Sequence, residues 1–159
     1  MPPPPSGDAR ARSGRLAGEL GATQPVLYSA FASRQALIDA VAVNGFDEIA
    51  AALEAVGASP MARMRAYLDF AAAHPRVYEA MLSLPSGLVF AAEDTPEPLH
   101  RAFSGLHEAF PDGDGTRAEV AWSALHGLAT LQAGGRLRTS HGQARLELTH
   151  RMLTQQEGR

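Results

Sequence analysis

The stretch LGATQPVLYSAFASRQALIDAV, residues 20–41, holds two helix ends and the start of a long helix. Leu16, Ala17 and Leu20 lead into it at helical spacing, and Gly21 stands where that first short helix must stop. Thr23 offers an N-cap hydroxyl, and Pro25 falls in the next first turn, where no backbone N–H is needed. A second short helix through Val26, Leu27, Tyr28 and Phe31 follows at once. Ala17, Gly21 and Leu27 thus stand at offsets 0, +4 and +10. That spacing suits two helices crossing closely at a tight turn: a small residue at the crossing, a residue tolerant of positive φ in the turn, and an apolar plug. The pattern predicts a helix-turn-helix.

Outward from this stretch the period stays helical. Residues 1–12, with four consecutive prolines, bury nothing and are expected to form a disordered tail. After Ser33, a candidate N-cap, an amphipathic helix is predicted from Arg34 to about Val56, with Leu37, Val41, Ile49 and Leu53 inward. Gly57, Ser59 and Pro60 end it. Met64, Tyr67, Leu68, Phe70 and Ala71 make the next apolar stripe, and Pro75 opens a helix carrying Val77, Tyr78, Met81 and Leu82. Residues 83–98 read as loop, Leu99 to Phe110 as helix, and Asp112-Gly113-Asp114-Gly115 as a turn. Thr116 to Ala133 is so apolar all round that burial on every side is expected, and about Gln143 to Gln155 closes the chain with Ala144, Leu148 and Met152 on one stripe. No stretch alternates with the period of a strand, so the fold is expected to be all-α.

Composition narrows the functions. The 159 residues are 45% hydrophobic and 19% charged, enough to fold one ordinary core. No apolar run is long enough to span a bilayer, and the first residues lack the pattern of a secretion signal, so a cytoplasmic protein without membrane contact is expected. Zero cysteines exclude disulfides, thiolate zinc sites and cysteine nucleophiles. A net charge of −3 supplies no global attraction to nucleic acid, so any DNA contact is local. All fourteen basic residues are arginine, which we ascribe to genome composition. Ser86-Gly87 lacks the glycine of a nucleophile elbow, and Gly134-Gly135 lacks the lysine of a phosphate loop. The histidines do not stand at the spacing of a helical metal pair, and the Asp112 to Gly115 turn lacks the closing ligands of a calcium loop. Neither an enzyme, a metal site nor a cofactor is expected.

Residues 20–41 resemble the DNA-binding segment of the TetR family of regulators, with Leu27, Tyr28, Phe31, Ser33, Arg34, Ala36 and Leu37 in register. The resemblance implies that Thr23 and Tyr28 bond phosphates, that Gln24, Pro25 and Ser29 face base edges or sugar, and that Arg34 meets a phosphate. A hydroxyl at the start of a helix in the major groove has exposed N–H groups and the positive dipole end beside it, as phosphate contact requires. Ala30 stands where the family often has a histidine donor, and Pro25 where it usually has a backbone N–H. The family also has a complete first helix before the point that aligns with Leu16, where this chain supplies fifteen residues rich in Pro, Gly and Arg. The first helix is therefore expected to be missing, with a start codon placed too late favoured over decay of the DNA-binding unit.

AYLDFAAAHPRVYEAML and AWSALHGLATL, further on, resemble the effector domain of a TetR subgroup named for a Trp-His-Gly signature, here Trp122, His126 and Gly127. This implies an effector-binding, dimer-forming helical domain. Tyr67, Phe70, Tyr78, Met81, Trp122 and His126 are the candidates for its apolar chamber, which suits the greasy walls of small-molecule pockets. A satisfied core or interface position is the commoner role for a histidine such as His126. The expected organisation is a tail (1–12), a partial helix-turn-helix (13–45) and a helical ligand-binding and dimerisation domain (46–159). The expected function is operator binding, in a repressor, relieved by a small apolar effector. The rival is a dimeric ligand-binding or interaction module that no longer reads DNA. Residues 1–57 favour the rival to some extent, because they hold four arginines against six acidic residues.

Overall fold

The computed structural model describes residues 31–82, 88 and 93–155. Among these the regular structure is helical. Helix α1, Arg34–Ala55, begins where expected, because the Ser33 hydroxyl accepts the Ala36 N–H at 3.0 Å. It ends at Val56 and Gly57, the latter at φ 69°, a left-handed value that glycine adopts without strain. Helix α2, Pro60–Ala73, and helix α3, Pro75–Leu82, each open on a proline at the first helical position, where no backbone N–H is needed. Helix α4 spans Glu97–Ala109, α5 spans Thr116–Ala133, a short 3₁₀ turn covers Thr139–His141, and α6 spans Gly142–Thr154.

The boundaries differ from expectation mainly at α4, which starts at Glu97 rather than Leu99 because Pro98 is accommodated inside the first turn. The Asp112 to Gly115 turn serves α5. Asp112 accepts the N–H groups of Gly115 (2.7 Å) and Arg117 (2.6 Å), Asp114 accepts that of Thr116 (3.0 Å), and Gly115 sits at φ 85°. Carboxylates at this end of a helix satisfy orphan donors and complement the dipole.

Helix α1 is the spine. It packs mainly on α4 and α3, while α2 reaches across to α5 and α6. The main core joins Phe46, Ile49 and Leu53 of α1 to Met64 and Tyr67 of α2, Leu106 and Phe110 of α4, and Leu125 of α5. A separate small cluster, Leu37, Ile38, Val41 and Ala80, secures the N-terminal half of α1 to α3. The expected boundary between residues 45 and 46 therefore falls inside one continuous helix.

Helix α5 departs from the expectation that it is buried all round. Only Ala118, Ala121, Leu125 and Ala129 are buried, whereas Val120 is 52% and Leu131 42% exposed. Three of the four buried residues are alanine, which one narrow stripe can bury. Leu146 and Leu153 of α6 turn inward, and Leu148 and Met152 are 50% and 69% exposed. No described helix is long and apolar enough to cross a membrane.

Candidate effector cavity

Between α1, α2, α4 and α5 the helices leave a cavity of about 520 Å³. Phe46, Ile49 and Leu53, on successive turns of α1, form one wall, and Tyr67 of α2 with Met81 and Leu82 of α3 another. Helix α4 contributes Leu99, His100, Ala102, Phe103 and Leu106, and α5 contributes Glu119, Trp122 and Ser123, with Thr95 nearby. The deep residues Phe46, Ile49, Leu53, Tyr67, Met81 and Leu106 are buried, while His100, Glu119 and Ser123 are exposed. The cavity is thus apolar at its base and polar at its rim. Phe103 and Trp122 meet edge to face across it, with ring centres 6.5 Å apart.

A chain of four hydrogen-bonding side chains runs from this cavity into α5. The Trp122 indole N–H donates to the Tyr67 hydroxyl at 3.1 Å, the Tyr67 and Tyr78 hydroxyls lie 2.8 Å apart, and Tyr78 lies 2.9 Å from His126 Nδ1. Indole can only donate, so one arrangement satisfies every member in sequence: Trp122 to Tyr67, Tyr67 to Tyr78, Tyr78 to a neutral His126 protonated on Nε2. Burial holds the His126 imidazole below its ordinary value, which favours this neutral form. Burial also pushes the Tyr67 hydroxyl up to about 12, against the smaller opposing effects of its bonds to Tyr78 and Trp122. Tyr78 is raised too, by burial first and then by Tyr67.

An alkaline prediction follows from the sign of these shifts. Above pH 10, the ordinary tyrosine value, the unfolded chain releases protons that folded Tyr67 and Tyr78 retain. Fewer protons on the unfolded side mean stability that is fully present below pH 10 and declines as pH rises beyond it. Tyrosinate absorbance should therefore show two of the three tyrosines ionising together with unfolding. Smooth titration of all three in the folded protein would contradict the buried pair.

Of the chamber residues expected from sequence, Tyr67, Met81 and Trp122 line the cavity. Tyr78 and His126 stand behind Tyr67 in the polar chain, and Phe70 faces away, buried with its ring 5.0 Å from that of His74. Sequence reading did not place Phe46, Ile49 or Leu53 in the chamber, although Ile49 and Leu53 were expected on the inner side of their helix. It also missed the pair His100 and Phe103, one turn apart on α4. Among the expected DNA contacts, Arg34 occupies the first turn of α1, and Thr23, Gln24, Pro25, Tyr28 and Ser29 lie outside the described residues.

An all-helical domain wrapped around an apolar chamber, with one wall supplied by the long helix α1, is an architecture suited to holding a small molecule. The chain belongs to the tetracyclin repressor-like family: residues 61–156 match the family model described as "Tetracyclin repressor-like, C-terminal domain". It is similar to a solved structure from Rhodococcus sp. RHA1, a protein described as of unknown function, at 31% identity and TM-score 0.62 over 89% of this chain and 80% of that one. No curated protein matches the chain.

Proposed function

We propose that this chain is a cytoplasmic, non-enzymatic transcription regulator of the TetR type, a repressor of the subgroup bearing Trp122, His126 and Gly127. Residues 13–45 read an operator, with Thr23, Gln24, Pro25, Tyr28, Ser29 and Arg34 at the DNA. A small apolar effector in the cavity releases it. The observation that carries this reading is the double role of α1. Its first turn holds Arg34, next to the segment resembling a recognition helix, and its second half, through Phe46, Ile49 and Leu53, forms a cavity wall. An effector that displaces that wall shifts the population between two placements of the N-terminal end, provided it binds them unequally.

The test is fluorescence anisotropy of DNA flanking the gene, titrated with this chain and with a version extended upstream in frame, at two salt concentrations. Sequence-dependent binding that weakens with salt supports the regulator. Absence of any preference over random DNA from both versions overturns it and favours the rival, a ligand-binding dimer without DNA affinity. The six acidic residues against four arginines in residues 1–57 speak for that rival.

Both readings require a homodimer. Val120 and Leu131 of α5, with Leu148 and Met152 of α6, form exposed apolar flanks, and between them a Cβ at Gly127 would meet nothing within 4 Å. Two copies packing these helices as a four-helix interface would cover the flanks. Leu148→Asp is expected to turn the dimer into a folded monomer by sedimentation, with its helical circular dichroism kept. A dimer unaffected by Leu148→Asp would place the interface elsewhere.

A further inference from the structure

We propose that the cavity selects an apolar molecule with a cationic, amine-type head, its body on the α1 wall and its head at the rim beside Glu119. This rests on the effector reading of the same cavity and adds the chemical class of the ligand. Glu119 is the sole carboxylate among the described lining residues, and none of those residues is arginine; the chain has no lysine. Two neighbouring arginines are held outside. Arg101, next to the lining His100, is turned to the outer side of α1, where it pairs with Asp47 at 2.6 Å and Glu54 at 2.9 Å. Arg63, beneath Gly105, is paired with Glu108 at 2.8 Å. Each of these two cations is thus matched or outnumbered by carboxylates, and of the Asp, Glu and Arg side chains near the cavity only that of Glu119 lines it.

The surroundings of Glu119 suit a cation in a second way. Trp122 lies one helical turn from it, and Phe103 packs against Trp122, so two aromatic rings border the rim. A cation near a carboxylate and over aromatic faces gains from both, whereas a carboxylate head meets repulsion from Glu119 and from the ring faces. His100 is the other ionisable group at the rim and opposes the preference when protonated. Ser123 adds no competing charge, and its hydroxyl is already bonded to the Glu119 carbonyl at 2.8 Å.

Three probes with one apolar tail and different heads test the class: decyltrimethylammonium, 1-decanol and decanoate, each kept below micelle formation. Trp122 is the single tryptophan and lines the cavity, so its fluorescence reports occupancy in the full chain. The ammonium is expected to bind about tenfold more tightly than decanoate, with decanol between. In Glu119→Gln the ratio of ammonium to decanoate affinity should fall by about tenfold, to near one. The thermal midpoint should barely move, since the side chain is exposed. Equal or tighter binding of decanoate, or an unchanged ratio in Glu119→Gln, overturns the cationic class while leaving an apolar effector cavity in place. Binding by none of the three probes overturns the cavity reading and the class together.

Discussion

Replacing Arg63 by methionine is expected to destabilise the fold by about 3 kcal/mol, with Arg63→Lys recovering only part of the loss. Arg63 is 3% exposed, the single buried charged side chain among the described residues. From α2 its guanidinium reaches two other segments: Nε donates to the Gly57 carbonyl at 2.6 Å, Nη1 to the Gly105 carbonyl, and Nη2 to Glu108 at 2.8 Å. The first partner lies just past the end of α1, where carbonyls lack helical donors and the dipole favours a cation. The second lies at a tight helix crossing, where a Cβ at residue 105 would stand 3.3 Å from Leu53. Methionine fills the volume but leaves both carbonyls short of a partner. Lysine keeps the charge but lacks the planar fork that serves three acceptors at once. Glu108 is 63% exposed, so the ion pair itself contributes little and the carbonyl bonds account for most of the effect. Urea denaturation followed by Trp122 fluorescence measures the change. A midpoint for Arg63→Met equal to that of the parent would show that the desolvation of the guanidinium cancels its bonds.

Gly45→Leu is expected to cost a comparable amount, about 3 kcal/mol, through overpacking. A Cβ at Gly45 would lie 2.6 Å from both Met81 Sδ and Val77 Cγ1, so α1 and α3 cross here more closely than any side chain allows. Met81 can bend away, but Val77 is β-branched and stiff in a helix. Gly45→Ala therefore sets a gain of about 1 kcal/mol in helix propensity against the clash and ends mildly destabilising. Leucine adds further atoms in the same place. Since Met81 also lines the cavity, its displacement should shrink the chamber and weaken decanol binding. Val77→Ala in the Gly45→Ala background should restore stability beyond the sum of the two single changes. Strict additivity would show that Val77 is not the obstacle.

These two sites mark where sequence reading reached its limit. Punctuation gave the helices: Ser33, Pro60, Pro75 and the glycines at 57, 115 and 134 lie at their ends, and Thr116–Ala133 was legible to the residue. Local rules govern capping and proline tolerance, so one window of sequence suffices. The chamber was only half legible. Tyr67, Met81 and Trp122 could be chosen as large inward side chains, but Phe46, Ile49 and Leu53 look like any inner stripe. Periodicity tells which face turns inward and says nothing of where inward faces fail to meet. Similarly, the bond between Tyr78 and His126 joins residues 48 apart in sequence, and Arg63 spans 42 residues to Gly105. Such pairings arise from helix crossings that a single sequence does not specify.

The close crossing at Gly45 has a mechanical meaning as well. A stiff rod touching its neighbour most closely at one point turns about that point, and α1 is a 22-residue rod. At 1.5 Å per residue, Leu53 lies about 12 Å from Gly45 on the cavity side and Arg34 about 17 Å away on the other. With Gly45 as fulcrum, a ligand that pushed Leu53 aside would drive Arg34 the opposite way, about 1.4 times as far, against the hold of the cluster that joins Leu37, Ile38 and Val41 to Ala80. Under the proposed effector mechanism, the missing side chain at position 45 would set both the direction and the gain of a lever.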